Sequence, residues 1–178
     1  MEHSHWNARR SLGQWLQEHK IPALFGLDTR MLTKMLRDDG GKIAKICFPE
    51  ETGPTADCAF SDPNLRNLVA EVSTKEIRYF NQGAAGLRIV AYDCGIKFNI
   101  IRYFVGLNVK LTLVPYDYDL EKNEANLEWD GLFISNGPGD PTMAAATVKS
   151  FKWAIDHQDK PIFGTHFLLC LYSMCCCF

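Results

Sequence analysis

The stretch DGLFISNGPGDP at residues 130–141 decides the fold. A short apolar run ends there in a loop that holds two glycines, two prolines, an asparagine and an aspartate. Glycine permits positive φ and close approach of another group, and proline holds a turn in place. A buried strand that stops at such a loop can aim backbone N–H groups at an oxygen that carries negative charge. Many strand-to-helix loops have this composition for turn reasons alone, so the loop by itself fits a ligand site and a plain turn equally well.

Downstream of a Gly-rich segment at residues 81–86, apolar strands alternate with amphipathic helices. The predicted strands cover residues 87–92, 109–114, 131–135 and 161–163, and the predicted helices cover residues 98–107 and 141–157. The inward side chains of the first helix are expected to be Ile100, Ile101, Phe104 and Val105, with Asn108 in left-handed geometry just beyond its end. This alternation predicts an α/β fold with a parallel sheet covered on both faces. Ligands bind such sheets at the carboxyl ends of strands, where the loop at 136–141 falls.

Residues 1–83 predict a smaller upstream α/β unit. Helices are expected at residues 8–20 and after an Asp28 N-cap, with Gly40 and Gly41 as the stop. A strand is expected at residues 42–48, followed by a loop and a helical turn at 64–70. The linker-like composition at 81–86 places a domain boundary between residues 83 and 84.

Composition excludes several classes of function. Hydrophobic residues make up 47% of the chain and charged residues 22%, which is typical of a globular protein. The net charge is −2, so the composition does not indicate a basic surface of the kind that binds nucleic acid. The N-terminus does not resemble a signal peptide, and no apolar run has membrane-spanning length. The seven cysteines lack zinc-site spacing, so no metal site is expected and a reducing, cytoplasmic setting is favoured.

Five ordered motifs carry a family resemblance: SHW at 4–6, FGLDTRMLT at 25–33, NLVAEVS at 67–73, DCGIKFN at 93–99 and SNGPGDP at 135–141. Over about residues 4–164 the chain resembles the glutaminase (small) chain of glutamine-dependent carbamoyl-phosphate synthetase, most closely that of the animal multifunctional pyrimidine protein. The resemblance implies that residues 1–83 are the end of the small-chain N-terminal domain. Residues 84–164 would then be the incomplete parallel-sheet core of a class I glutamine amidotransferase domain.

The resemblance also implies a reaction and partners. In this family a cysteine thiolate attacks the side-chain amide of L-glutamine and releases ammonia. A synthetase domain or subunit then uses the ammonia with ATP, bicarbonate and a divalent metal, so no cofactor is expected in this chain. By the same resemblance Gly137 and Gly139 contact glutamine, and the Gly137 N–H helps to form the oxyanion hole. The resemblance leaves open whether the product enters pyrimidine or arginine synthesis, and whether the parent is one fused chain or two subunits.

The chain departs from the family pattern after Gly164. Where the family continues from Phe-Gly into Ile-Cys-Leu-Gly-His-Gln, this chain reads FGTHFL at 163–168, so His166 occupies the nucleophile position. No catalytic residue is therefore assigned, and the chain itself is predicted to be inactive. Residues 165–178 are interpreted as an unrelated tail, and the chain as a piece of a larger protein that is truncated at both ends.

Single residues with reactive side chains are interpreted as structural. Cys170 lies four positions beyond the nucleophile position and lacks a glycine elbow, and His166 lacks a paired acid. Cys94 follows a strand and is expected to be a structural thiol. Asp93 and Lys97 are expected to tie their turn to neighbouring chain rather than to bind phosphate.

Two alternatives to the enzyme-fragment interpretation stay open at this point. One is a catalytically dead regulatory or scaffold module that contacts the synthetase domain, which the replaced nucleophile favours. The other is a lipidated binding protein, because Cys175-Cys176-Cys177-Phe178 formally fits a prenylation box, although its two middle positions are cysteine rather than aliphatic.

Overall fold

A computed structural model of the chain describes residues 5–46, 60–123, 125 and 127–165. The chain divides into two compact units, Met1–Phe60 and Ser61–Phe178. Each unit is described by itself.

The first unit contains two capped helices. Helix α1 (Leu12–Glu18) begins with a capping box, in which the Ser11 hydroxyl accepts the Gln14 N–H and the Gln14 side chain accepts the Ser11 N–H. It is shorter than the predicted helix at 8–20. Helix α2 (Thr29–Asp39) confirms the predicted N-cap, because the Asp28 carboxylate accepts the Met31 N–H at 2.8 Å.

The end of α2 agrees with the prediction, whereas the strand that was predicted to follow it is not found over residues 42–46. Gly40 ends α2 at φ 81°, a value that favours glycine. The predicted strand at 42–48 is wrong over residues 42–46, which form no strand. Alternating side chains alone do not make a strand without a partner that completes its hydrogen bonds. Residues 47 and 48 lie outside the described residues.

The second unit is built on a five-stranded sheet. The strands are β1 (Arg78–Phe80), β2 (Arg88–Asp93), β3 (Lys110–Pro115), β4 (Gly131–Ile134) and β5 (Ile162–Gly164), in the spatial order β1-β3-β2-β4-β5. Strands β2 to β5 are parallel, which confirms the predicted sheet. Strand β1 pairs antiparallel with β3 at one edge and was not predicted, because three partly exposed residues carry no apolar pattern.

Helices cover both faces of this sheet. Helix α4 (Phe98–Gly106) packs Ile101 against one face, beside Ala91 and Phe133. Helix α5 (Ala145–His157), which follows a 3-10 turn at Pro141–Ala144, packs Phe151 and Ala154 against the other face. The fold is therefore α/β with a mostly parallel, doubly covered sheet, as predicted.

One side chain of α4 is placed differently from the prediction. Ile101 is buried and Ile100 and Phe104 are half-buried, but Val105 is 40% exposed. At 3.6 residues per turn Val105 lies roughly 90° round the helix axis from the centre of that stripe, so it falls at the margin of the packed face. Asn108 has φ 58° and follows the helix as predicted.

The division between the units lies earlier than the predicted domain boundary. Residues 61–83, which the sequence placed with the upstream domain, fall in the second unit. This segment holds a 3-10 turn at Pro63–Leu65, helix α3 (Leu68–Val72) and β1. It belongs with the sheet because β1 is hydrogen-bonded to β3 and because α3 packs beside the glycine loop described below.

Candidate functional site

An open cleft of about 1270 Å³ lies at the carboxyl ends of the parallel strands. The turn after β2 and the loop after β4 meet there, as the rule for open parallel sheets requires. The segment between α3 and β1 forms a further wall. The residues that line the cleft include Val72–Glu76, Arg78, Asp93, Gly95–Phe98, Asn136–Gly139 and Pro141.

The loop after β4 takes a form that glycine alone permits at two positions. A Cβ on Gly137 would lie 2.5 Å from the Cys94 carbonyl oxygen, so the loop and the turn after β2 touch through their backbones. Gly139 has φ 72°, in the left-handed region that disfavours other residues. The predicted close approach and positive φ are thus both present, one at each glycine.

Helix α3 supports this loop from the side. A methyl group on Gly137 would meet Val69 at 3.3 Å, and one on Gly139 would meet Leu68 at 3.4 Å. Val69 is 1% exposed, so this contact is part of the core. Asn67 caps α3 by accepting the Ala70 N–H and also donates to the Met143 carbonyl at 3.0 Å, which ties the helix to the 3-10 turn beyond the loop.

The Asp93 carboxylate organises the turn after β2. It is nearly buried and accepts three backbone N–H groups, from Thr74 at 2.9 Å, Gly95 at 3.0 Å and Ile96 at 2.8 Å. The Thr74 contact joins the turn to the segment after α3, which confirms the structural role predicted for Asp93. Lys97 is exposed and lines the cleft, and its tying role stays a prediction.

Cys94 is fully buried behind the cleft. Its Sγ atom lies 3.9 Å from the Thr147 hydroxyl, and its N–H donates to the Ser135 hydroxyl at 3.0 Å. Burial raises the pKa of the Cys94 thiol to about 12, so the thiol stays protonated and unreactive at neutral pH. The prediction of a structural thiol is confirmed by this burial.

The structure brings the predicted glutamine-binding residues into the cleft, since Gly137 and Gly139 both line it. That they contact glutamine stays a prediction. His166, at the predicted nucleophile position, lies outside the described residues, as do Cys170 and the other tail cysteines. The last described residue, Thr165, donates its hydroxyl to the Asn136 side chain at 2.5 Å, so the chain leaves β5 next to the glycine loop.

Reasoning from the sequence missed the wall formed by residues 72–78. This wall brings Lys75, Glu76 and Arg78 to the cleft. The signal that pointed towards it was the family-like motif at 67–73, which ends where the wall begins.

Within the described ranges no cluster of histidine, cysteine, aspartate or glutamate could hold a metal ion. No helix among the described residues is long and apolar enough to cross a bilayer.

Two family profiles match the chain in the order that the motifs predicted. The profile described as "Carbamoyl-phosphate synthase small chain, CPSase domain" matches residues 1–46. The profile described as "Glutamine amidotransferase class-I" matches residues 90–166, which include most of β2, all of β4 and the glycine loop. Together they confirm the resemblance.

Curated relatives of three kinds match most of the chain. The chain is 45% identical over 92% of its length to the mitochondrial carbamoyl-phosphate synthase [ammonia] of Mus musculus, 10% of which it covers. It is 46% identical over 97% of its length to the arginine-specific carbamoyl phosphate synthase small chain of Candida albicans, covering 41%. It is 44% identical over 90% of its length to the multifunctional protein CAD of Squalus acanthias, covering 7%. The chain thus spans less than half the length of these relatives, and their similar identities do not single out one kind.

Proposed function

We propose that this chain, which belongs to the carbamoyl-phosphate synthase small-chain family, supplies the glutamine-binding loop of a glutamine-hydrolysing region. The observation that carries the proposal is the position of Gly137 and Gly139. They lie at the carboxyl end of β4, beside the turn after β2, in a cleft with ample room for an amino acid. In parallel α/β sheets this is where ligands bind.

The loop suits an amide substrate for a physical reason. Attack on the side-chain amide of glutamine places negative charge on its oxygen, and backbone N–H groups held in advance stabilise such charge. Gly137 and Gly139 are held by the contacts with Cys94 and α3, so their two N–H groups need little reorganisation. The lining of the cleft carries three basic side chains, those of Lys75, Arg78 and Lys97. It also holds two acidic ones, Glu76 and Asp93, so the basic side chains outnumber the acidic ones by one, which favours a ligand that carries a carboxylate.

The proposed role of this chain is binding without hydrolysis. The family reaction needs a cysteine thiolate that attacks the amide carbon and expels ammonia. This chain has His166 at that position, and an imidazole cannot form the thioester. Glutamine would therefore bind in the cleft and leave unchanged.

The wider setting is proposed from the family. The ammonia-consuming partner is a carbamoyl-phosphate synthetase domain or subunit, where ATP and a divalent metal act, so this chain needs no cofactor of its own. We propose the cytoplasm as the setting and de novo pyrimidine synthesis as the first candidate for the pathway that uses the carbamoyl phosphate, with arginine synthesis as the alternative that the relatives leave open. The name of the mouse relative gives ammonia and not glutamine. The test of the proposal therefore measures the binding of glutamine by itself, without relying on its hydrolysis.

Nuclear magnetic resonance of glycine-labelled protein tests this proposal. We expect L-glutamine to shift the backbone signals of Gly137 and Gly139, with a half-saturation point below about 1 mM, the usual upper range of KM values. Gly26 and Gly40, in the first unit, are internal controls whose signals should stay in place. D-glutamine serves as the matched ligand control.

Two results would count against the proposal. One is unmoved Gly137 and Gly139 signals at about 10 mM L-glutamine, tenfold above that range. The other is an equal response to the D-isomer, which would show a charge effect rather than a built site.

A further inference from the structure

The side chain of Ser135 connects two backbone segments that meet beside the cleft. Ser135 is the first residue after β4 and is fully buried. Its hydroxyl oxygen accepts the Cys94 N–H, in the turn after β2, at 3.0 Å. The same hydroxyl donates to the Asn136 carbonyl, at the start of the glycine loop, at 2.9 Å. One buried hydroxyl therefore joins the turn after β2 to the peptide bond that precedes Gly137.

The hydrogen bond to the Asn136 carbonyl sets the direction of the Gly137 N–H. The peptide bond between these two residues is trans, so it is planar and its carbonyl and N–H point in opposite directions. Because the Asn136 carbonyl points towards the buried hydroxyl, the Gly137 N–H points away from it. No group among the described residues accepts this N–H, and Gly137 lines the cleft. The N–H is therefore available to a ligand there.

The peptide plane needs such a restraint because a glycine follows it. A turn of the plane changes ψ of Asn136 and φ of Gly137, and glycine adopts positive and negative φ with similar ease. The close contact with the Cys94 carbonyl requires a glycine at residue 137. The residue that permits this contact thus leaves the plane weakly restrained, and the Ser135 hydroxyl supplies the restraint.

We propose that Ser135 is a positioning residue, whose hydroxyl keeps the Gly137 N–H turned towards the cleft. The inference rests on the proposed function, in which this N–H meets the amide oxygen of glutamine. Ser135 is not among the residues that line the cleft, so it acts only through the peptide bond between Asn136 and Gly137. Without the hydroxyl, the Asn136 carbonyl loses its donor and the Cys94 N–H loses its acceptor.

The chain offers a matched control in Ser150, on α5. Its hydroxyl also accepts a backbone N–H, that of Leu120 at 3.3 Å, and donates to a backbone carbonyl, that of Tyr118 at 2.8 Å. Ser150 is buried as well and does not line the cleft. Ser135→Ala and Ser150→Ala therefore remove the same pair of hydrogen bonds from the same unit, and only the first removes them from the glycine loop.

Nuclear magnetic resonance of the full, isotopically labelled chain tests the proposal. Nuclear Overhauser effects run from the Gly137 N–H to the Hα and to the N–H of Asn136, and the ratio of their strengths depends on how the peptide plane is turned. The ratio is measured without ligand in the unmodified chain, in Ser135→Ala and in Ser150→Ala. A titration with L-glutamine then gives the dissociation constant of each protein.

We expect Ser135→Ala to change the Overhauser ratio at Gly137 and to weaken the binding of L-glutamine about tenfold, the upper range for one hydrogen bond. Ser150→Ala should leave the ratio unchanged and should alter the dissociation constant by less than about twofold, since it lies away from the cleft. The difference between the two variants separates positioning from a general loss of stability.

Three results would overturn the proposal. One is an unchanged ratio or undiminished binding in Ser135→Ala, and another is an equal effect of Ser150→Ala. The third is a ratio in the unmodified chain that turns the Gly137 N–H towards Ser135, which decides the matter even if the alanine variant does not fold. An unmodified chain that binds no glutamine would refute the proposed function instead, and the ratio alone would then decide the role of Ser135.

Discussion

Gly137 illustrates how one residue sets the shape of the site. Its α-carbon faces the Cys94 carbonyl so closely that a Cβ would lie 2.5 Å from that oxygen. The neighbour is backbone and cannot rotate away. Gly139 is different, because there the constraint is its own φ of 72° and the nearest neighbour is the flexible Leu68 side chain.

The two glycines should therefore respond differently to substitution. We expect Gly137→Ala to lower the free energy of unfolding by about 2–3 kcal/mol, since the backbone must move to relieve the contact. Gly139→Ala should cost about 1–2 kcal/mol, the usual penalty of left-handed geometry for alanine. Urea unfolding followed by circular dichroism measures both. A Gly137→Ala variant as stable as the parent would mean that the loop does not lie against Cys94.

Cys94 should resist modification in the folded protein. Burial raises the pKa of its thiol to about 12, so the reactive thiolate is scarce at pH 8. We expect iodoacetamide at pH 8 to label Cys94 at least a hundredfold more slowly in native than in urea-unfolded protein. Peptide mapping follows each cysteine separately. Equal rates in the two states would contradict the buried position.

At the scale of elements, an ion pair joins the beginnings of β2 and β4. The Asp130 carboxylate accepts the Arg88 N–H at 2.8 Å and the guanidinium at 2.7 Å. The side-chain hydrogen bond from Arg88 is the main cause that lowers the pKa of Asp130 to about 2. Since β4 lies beside β2 in the sheet, this pair helps to set the register that places the glycine loop beside the turn after β2.

The free energy of unfolding should depend on pH because of this ion pair. A carboxyl group whose pKa is lower in the folded state stabilises the fold above its unfolded value of about 3.9 and loses that effect as the pH falls towards 2. We expect Asp130→Asn to be less stable than the parent at pH 6, and the difference to shrink steadily between about pH 4 and pH 2. Urea midpoints across this range provide the measurement. A difference that stays constant with pH would show that the substitution acts through packing rather than through the charge.

At the scale of the whole molecule, the fold and the chemistry are separable. The sheet, the cleft and the glycine loop can form without a nucleophile, because they depend on packing and backbone geometry. Hydrolysis depends in addition on a thiolate at the position that His166 occupies. Loss of a covalent nucleophile costs several orders of magnitude in rate.

The purified chain should therefore release no glutamate from glutamine above the uncatalysed background. The assay is glutamate formation at saturating glutamine, with Cys170→Ala and Cys94→Ala variants alongside. Turnover abolished by Cys170→Ala would place the nucleophile four residues later than we infer. Turnover that survives both substitutions would require a different mechanism.

The sequence by itself determined the features that depend on neighbouring residues. The Asp28 cap, the Gly40 stop, the left-handed Asn108 and the parallel strands all follow from short-range patterns, as does the glycine loop after β4. The family followed from five ordered motifs. Such features are predictable because their hydrogen bonds or packing periods lie within a few residues of each other.

Only the tertiary structure decided how these parts meet. It placed β1 at the sheet edge and α3 against the glycine loop, which moved residues 61–83 into the second unit. It joined the Asp93 carboxylate to the Thr74 N–H, 19 residues earlier in the chain. A local pattern cannot specify these partners, because their closeness results from the packing of the whole sheet and its helices. The cleft exists for the same reason: its walls come from separate segments that share one edge of the sheet.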